Sequence, residues 1–203
     1  MADDALEILD RETVYRGFFR IDRFRLRHRR YDGGWTDPMA REVFERGRTV
    51  GVLLYDPERD AVVLIEQFRL PPHLAGFAGW QTEIVAGVVD HAGEADRDVA
   101  RREALEESGL AITGELEPVH RFMTSPGGST ETIDIFCGRV DARQAAGIHG
   151  VPEEHEDIKV LVLSYRDAMQ RLRKDVFQNG PTVVALYWLA ANRTRLRRRW
   201  LAP

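Results

Sequence analysis

The sequence predicts an α/β (α+β) fold in which helices cover both faces of a mixed β-sheet, with a small antiparallel β unit at the N-terminus. Apolar segments of strand length recur along the chain, turn-forming residues separate them, and helical segments are interleaved with them. This alternation favours a sheet between two layers of helices. The 203 residues are 43% hydrophobic and 31% charged, which is the balance of a globular chain with a real core.

The N-terminal unit is predicted to span residues 1–47, and a second domain to span residues 48–203. Phe24, Leu26 and His28 alternate with arginines, and this period-two pattern is typical of a half-buried strand. A glycine-containing turn and a second extended stretch follow, and they complete the predicted antiparallel unit.

The second predicted domain alternates strands with three helices. Glycine accepts the left-handed conformation that ends helices, so Gly109 is the expected end of the first helix. Ser164 and Asp167 form a capping-box-like pattern that opens the second. The predicted strands cover residues 50–55, 61–68, 82–86, 112–123, 131–140 and 158–163, and the predicted helices cover residues 95–108, a short segment after 164, and residues 181–199.

Charge and cysteine content exclude several classes of protein. The formal net charge is −4, so nucleic acid is not an expected partner. Cys137 is the single cysteine, and one cysteine cannot form an intrachain disulfide. The first residues lack the pattern of a signal peptide, and no apolar run approaches the roughly 18 residues of a membrane span. The sequence therefore predicts a cytoplasmic protein with no membrane partner.

Three glutamates of the first predicted helix indicate a metal site. At about 100° per residue, Glu107 lies roughly 40° around the helix from Glu103, and Glu106 lies roughly 60° the other way. Their like charges repel one another. A divalent cation would remove this conflict, because magnesium prefers carboxylate oxygens. The alternative is an acidic helix face that contacts only water.

These glutamates belong to a segment that resembles the signature of the Nudix hydrolases. The shared positions are Gly87, Glu94, Arg102-Glu103, Glu106-Glu107 and Gly109. The chain departs from the family pattern by one extra residue between Gly87 and Glu94. It also has Ala95 where family members often place a serine or threonine cap, which would cost about 1 kcal/mol of stability unless Asp96 takes that role. The resemblance implies a Nudix α/β/α sandwich.

Beyond this segment, the chain resembles the bacterial ADP-ribose pyrophosphatase branch of the superfamily. The segments that carry the resemblance are residues 11–19, 44–47, 66–69, 125–128, 147–150 and 153–158. It implies hydrolysis of ADP-ribose to AMP and ribose 5-phosphate, with two or three Mg²⁺ ions per site and Mn²⁺ as the alternative. It also implies a homodimer formed by exchange of the N-terminal sheets.

The same resemblance implies roles for individual residues. The metal ligands would be the backbone carbonyl of Ala86 together with Glu103, Glu107 and Glu156. The catalytic residues would be Glu154 as the base, on a loop that approaches the attacking water when substrate binds, with Glu106 and Arg102 close by. The substrate-binding residues would be Phe18, Arg41 and Glu131, contributed partly by the partner chain, with Arg69 from the same chain and Gly127 in a tight turn.

Two other functions stay open at this point. One is cleavage of another nucleoside diphosphate sugar such as GDP-mannose with the same metal helix, a choice that depends on the arginines and aromatic residues lining the site. The other is a Nudix domain that senses ADP-ribose without cleaving it. Such regulators usually lose their glutamates or carry a DNA-binding domain, and neither feature is evident in this sequence.

Overall fold

A computed structural model of the chain describes residues 5–90, 93–151, 153 and 155–202. The chain divides into two compact units. The first comprises Met1–Gly47 and Met123–Thr132, and the second comprises Arg48–Phe122 and Ile133–Pro203. The inclusion of the later segment in the first unit was not predicted from the sequence.

The first unit contains a three-stranded antiparallel sheet. Its strands, in spatial order, are β1 (Leu6–Arg16), β2 (Arg20–His28) and β3 (Met39–Glu45). Asp22 is fully buried on β2, where Arg11 and Thr13 donate hydrogen bonds of 2.5–3.0 Å to its carboxylate. These bonds offset the cost of removing the charge from water. Most side chains of β1 are exposed.

The second unit is built on a sheet that contains eight strands within the described part of the chain. The strands are β4 (Arg48–Asp56), β5 (Ala61–Phe68), β6 (Trp80–Glu83), β7 (Val85–Val88), β8 (Thr113–Met123), β9 (Thr132–Arg139), β10 (Ile148–His149) and β11 (Ile158–Ser164). The main path runs β10-β11-β5-β4-β9-β8, while β6 pairs with β5 and β7 pairs with β4. The sequence predicted β6 and β7 as one strand.

The helices of the second unit are α1 (Leu70–Leu74), α2 (Asp96–Ser108), α3 (Tyr165–Leu172) and α4 (Gly180–Trp200). Gly109 ends α2 in the left-handed conformation with φ 68°, and Ser164 Oγ accepts a hydrogen bond from Asp167 N at the start of α3; both features were predicted. The short helix α1 was not. None of the helices in the described ranges combines the length and apolar character that crossing a membrane requires.

The core occupies both faces of this sheet, because successive residues of a strand point to opposite sides. Val50, Val52 and Leu54 of β4 pack in one cluster with the buried side of α2. Leu53 and Tyr55 pack in the other cluster with α3 and α4. This arrangement confirms the predicted α/β fold, a sheet covered on both faces.

Candidate metal centre

The candidate metal centre lies where α2 packs against β7. Glu107 is 3% exposed, and its Oε2 accepts a hydrogen bond of 3.1 Å from the backbone N–H of Ala86. In a β-strand the N–H and C=O groups of one residue point to the same side. The carbonyl of Ala86, a predicted metal ligand, therefore faces the same side of β7 as Glu107.

Gly87 provides the space for the second glutamate of the centre. A Cβ atom at this position would lie 1.9 Å from Oε1 and 2.6 Å from Cγ of Glu103, which is far inside van der Waals contact. The predicted motif glycine is thus required by close packing, and it lets the carboxylate of Glu103 lie directly against the strand.

The environment of these glutamates disfavours their negative charges in the absence of a cation. Burial raises the pKa of Glu107 to about 8, the hydrogen bond from Ala86 opposes this rise, and the charges of Glu103 and Glu156 add to it. Burial also raises the pKa of Glu103 to about 7, where Arg102 opposes and Glu106 and Glu156 contribute. Carboxylates gathered in this way gain stability from a bound cation.

Arg102 balances part of this charge. Its guanidinium lies 2.8 Å from Glu103 Oε1, 2.9 Å from Glu106 Oε2 and 3.4 Å from Glu94 Oε1. The repulsion expected among these glutamates is thus reduced by an arginine of the same helix. The second carboxylate oxygen of Glu94 is buried and has no hydrogen-bond partner among the described residues.

The loop after β10 brings a further predicted ligand to the end of α2. Gly150 N donates to the carbonyl of Glu106 at 3.4 Å, and Glu156 Oε2 accepts a hydrogen bond of 3.0 Å from Val151 N. The negative charge of Glu156 adds to the raised pKa of Glu103 and of Glu107. Glu154, the predicted catalytic base, lies outside the described residues.

The donor groups suit a hard divalent cation. Three carboxylates and a backbone carbonyl offer only oxygen ligands, which are the ligands that Mg²⁺ and Mn²⁺ accept in proteins. Within the described ranges, no three acidic, histidine or cysteine side chains are already gathered at the spacing of a bound ion. The individual ligand assignments therefore stay predictions.

Arg69 is the predicted substrate-binding residue of the second unit. Its Nε and Nη2 atoms donate to Glu83 Oε2 at 3.2 and 3.1 Å, and its side chain is 43% exposed. Asn179 donates to the other oxygen of Glu83 at 3.0 Å. Glu83 was not predicted as part of the site, because it lies 14 residues beyond Arg69 and matches no local motif. Asn179 is the N-terminal cap of α4.

The remaining predicted substrate-binding residues belong to the first unit. Phe18 is 93% exposed and lines a cavity of about 370 Å³ with Phe19, Arg20 and Glu45, among others. Phe19, which the sequence analysis did not single out, packs against the ring of Phe18 at a centroid distance of 4.8 Å. An exposed aromatic ring beside charged groups is suited to stacking on a planar base.

Glu131, Arg41 and Gly127 also lie in the first unit. Thr124 Oγ1 donates to Glu131 Oε2 at 2.6 Å, and Arg46 lies 3.4 Å from the other carboxylate oxygen. Arg41 is exposed and donates to the carbonyl of Ala40. A Cβ atom at Gly127 would meet nothing within 4 Å, so internal packing does not require glycine there. The substrate roles of all three residues stay predictions.

An α/β sandwich in which one half-buried helix presents paired glutamates to a glycine on the preceding strand defines a Nudix-type domain. The family model described as NUDIX domain matches residues 45–186, and the chain belongs to this family. Nudix hydrolases generally depend on divalent metal ions. The resemblance predicted from the sequence is thereby confirmed.

Relatives of known name extend the comparison over nearly the whole chain. The ADP-ribose pyrophosphatase of Escherichia coli is 45% identical over 195 residues, which cover 96% of this chain and 92% of that protein. The GDP-mannose pyrophosphatase of an Enterobacter species is 36% identical over 151 residues, which cover 73% of this chain and 76% of that protein. A crystal structure of an ADP compounds hydrolase matches with a TM-score of 0.73 at 20% identity, covers 95% of this chain and 97% of its own, and supports the fold alone.

Proposed function

We propose that this chain hydrolyses the pyrophosphate bond of ADP-ribose and releases AMP and ribose 5-phosphate. The observation that carries the proposal is the placement of Glu103 and Glu107 against the Ala86-Gly87 strand, in a chain 45% identical to a protein named ADP-ribose pyrophosphatase. A relative that matches over 96% of the chain shares the N-terminal unit as well as the metal helix.

The cation in this proposal is magnesium, two or three ions per site, with manganese as the alternative. Glu103, Glu107, Glu156 and the carbonyl of Ala86 would hold it. When bound, such a cation neutralises charge on the pyrophosphate and polarises the phosphorus for in-line attack.

The side chains of the protein supply the remaining chemistry. Glu154 accepts a proton from the attacking water, and this transfer makes the water a better nucleophile. Arg69 binds a phosphate oxygen through its guanidinium, which suits anionic oxygen acceptors. Phe18 stacks on the adenine, and Arg41 and Glu131 bind the ribose and phosphate groups. Arg102 and Glu106 keep the glutamates of α2 in place.

Cleavage of GDP-mannose is the second candidate for the same centre. A relative named GDP-mannose pyrophosphatase supports it, but that relative is less identical and matches a smaller part of the chain than the ADP-ribose pyrophosphatase does. A domain that senses ADP-ribose without cleaving it is the weaker alternative, because Glu103, Glu106 and Glu107 are all present.

We further propose a homodimer, located in the cytoplasm, in which the first unit of one subunit contributes Phe18, Arg41 and Glu131 to the site of its partner. The two-domain division at Gly47 belongs to the same proposal, since an exchanged unit must fold as a body of its own.

The direct test is a substrate panel with purified protein. ADP-ribose, GDP-mannose and two further nucleoside diphosphate sugars are incubated with Mg²⁺, with Mn²⁺ and with EDTA, and the products are separated by chromatography. We expect AMP from ADP-ribose with either cation and no product with EDTA. Binding of ADP-ribose without turnover under all three conditions would support the sensing alternative instead.

A further inference from the structure

Glu83 is a buried carboxylate that lies outside the proposed metal ligands. Its side chain is 8% exposed, and both of its oxygens accept hydrogen bonds. Oε2 accepts from Arg69 Nε at 3.2 Å, from Arg69 Nη2 at 3.1 Å and from Gln67 Nε2 at 3.4 Å, and Oε1 accepts from Asn179 Nδ2 at 3.0 Å. A charge removed from water to this extent needs such partners.

Among the described residues, this contact holds Arg69 on one side of its guanidinium. The bonds to Glu83 use the Nε and Nη2 atoms, and no hydrogen bond within the described part of the chain uses Nη1, so the Nη1 end is left for a second acceptor. The positive charge of Arg69 also lowers the pKa of Glu107, against the larger effect of burial. Arg69 therefore contacts the buried Glu83 directly and acts electrostatically on one glutamate of the candidate metal centre.

An arginine side chain that is already held in place loses less conformational entropy on binding an anion than a mobile arginine side chain does. Arginine has a long side chain with many rotamers, and immobilising it on a ligand loses conformational entropy. An anchor that already holds the guanidinium removes part of that loss, because the ordering has taken place before the ligand arrives.

We infer that Glu83 is a positioning residue, which holds the guanidinium of Arg69 ready for an anionic oxygen of the substrate pyrophosphate. This inference rests on the proposed function, since it requires that a nucleoside diphosphate sugar binds beside α2. Glu83 acts only through Arg69 and touches no reacting atom.

A purely structural role for Glu83 makes a different prediction. Asn179 caps α4 through Thr182 N at 3.0 Å, and Thr182 Oγ1 accepts from Ile84 N at 2.9 Å. Glu83 thus also links β6 to the start of α4. If Glu83 only linked these two elements, replacing Asn179 would change KM and Tm in the same way as replacing Glu83.

The experiment compares Glu83→Gln, Arg69→Ala, the double variant and Asn179→Ala, with kinetics and thermal unfolding measured for each in Mg²⁺. Glutamine keeps the size of the side chain but removes the negative charge that forms the salt bridge with Arg69. We expect KM of Glu83→Gln to rise about tenfold, the effect of losing about 1.4 kcal/mol of binding, with kcat changed by less than about threefold. In the double variant KM should equal that of Arg69→Ala, because Glu83 has nothing left to position.

Asn179→Ala is the matched control. It should lower Tm, because it removes the cap of α4, and leave KM unchanged. Three results would each overturn the inference. They are an unchanged KM in Glu83→Gln, a KM in the double variant well above that of Arg69→Ala, and a rise of KM in Asn179→Ala as large as that in Glu83→Gln.

The series is run on both ADP-ribose and GDP-mannose. If the wild type cleaves GDP-mannose but not ADP-ribose, the proposed substrate is refuted, and the role of Glu83 can still be tested with GDP-mannose. If the wild type cleaves neither substrate, both the proposed function and the inference about Glu83 are refuted.

Discussion

The absence of a side chain at Gly87 determines where the carboxylate of Glu103 can lie. A Cβ atom there would lie 1.9 Å from Oε1 of Glu103, so even alanine displaces the carboxylate. The backbone of Gly87 does not have a positive φ, and the end of a glutamate side chain moves readily. A substitution therefore disturbs the position of the ligand more than the stability of the fold.

We expect Gly87→Ala to lower kcat/KM about 10- to 100-fold, the usual effect of displacing the surroundings of a metal ligand, with Tm within a few degrees of wild type. The control is Gly180→Ala, which also adds one methyl group at a glycine but into open space. Steady-state kinetics across a Mg²⁺ titration, together with thermal unfolding, measure both effects. Full activity in Gly87→Ala would show that Glu103 is not held against the strand.

The raised pKa of Glu107 links stability to pH in cation-free protein. At pH values between 4.5, the ordinary pKa of a glutamate, and about 8, the pKa of Glu107 in the folded chain, the folded chain retains a proton that the unfolded chain has lost. The free energy of unfolding then decreases as pH rises through this range. The contribution of Glu107 to the free energy of unfolding is fully present below about pH 4.5 and is lost above pH 8.

We expect the Tm of the wild type in EDTA to fall more between pH 5.5 and 8.5 than the Tm of Glu107→Gln does. The difference between the two falls should be about 2 to 10 °C, which corresponds to about 1 to 3 kcal/mol in the free energy of unfolding. Glutamine has no charge to bury, so it removes this term. Addition of Mg²⁺ should stabilise the wild type more at high pH than at low pH, because cation binding releases the proton. Parallel pH profiles for the two proteins would contradict the assignment of a protonated Glu107.

At the level of the helix, α2 begins without a side-chain cap. Ala95 occupies the cap position in an extended conformation and makes no capping hydrogen bond. Asp96 does not take the role of the missing cap, because it is the first helical residue and its carboxylate pairs with Arg48. The helix that carries the proposed metal ligands therefore lacks the stability that a side-chain cap would add.

We expect Ala95→Thr to raise the stability by about 0.5 to 1 kcal/mol, which is about 1 to 4 °C in Tm. The exposed position leaves room for the larger residue. Ala95→Val is the control, since valine has the shape of threonine without the hydroxyl oxygen that accepts from the helix N–H groups. Equal Tm values for the two variants would refute a capping effect.

The elements predicted well are those whose signal lies within a few residues. β5 has the predicted bounds, and α2 begins within one residue of the predicted start and ends as predicted, because an apolar run and a terminal glycine are local features. The break between β6 and β7 at Ile84 was not predicted. It accompanies a hydrogen bond from Ile84 N to Thr182, 98 residues away, and a contact of that range leaves no trace in the local pattern.

The same limit applies to the candidate site. Glu103, Glu107 and Gly87 are recognisable because they stand at fixed spacings on one strand and helix. Glu83 and Asn179 meet only when α4 packs on the sheet, so neither spacing nor composition identifies them. The three-dimensional contact between Glu83 and Arg69 is the signal that connects this carboxylate with the site.

At the scale of the whole molecule, the first unit exposes more apolar surface than a stable sheet usually does. On β1, Leu6, Ile8, Leu9 and Tyr15 are between 40% and 56% exposed. A three-stranded antiparallel sheet normally buries one apolar face, and apolar side chains left on its surface indicate an interface. This observation is independent of the resemblance and supports the proposed homodimer.

If Phe18, Arg41 and Glu131 are exchanged between subunits as proposed, two defective chains should complement each other. Phe18→Ala/Arg41→Ala disables the contribution of the first unit, and Glu107→Gln disables the metal centre of the second. When differently tagged copies are co-expressed, a mixed dimer should contain one site with both defects and one site with neither. Random pairing gives half mixed dimers, so we expect about a quarter of wild-type activity in the unfractionated pool. The doubly purified pool contains only mixed dimers and should reach about half of wild-type activity. Activity is measured as AMP released from ADP-ribose in Mg²⁺.

The control is the pair Glu103→Gln and Glu107→Gln, whose defects both lie in the second unit and should not complement each other. Light scattering during size-exclusion chromatography measures the mass of each pool, so that a failure to form dimers is seen directly. A dimer that contains both kinds of chain and has no more activity than either parent would show that each subunit builds its site from its own residues alone.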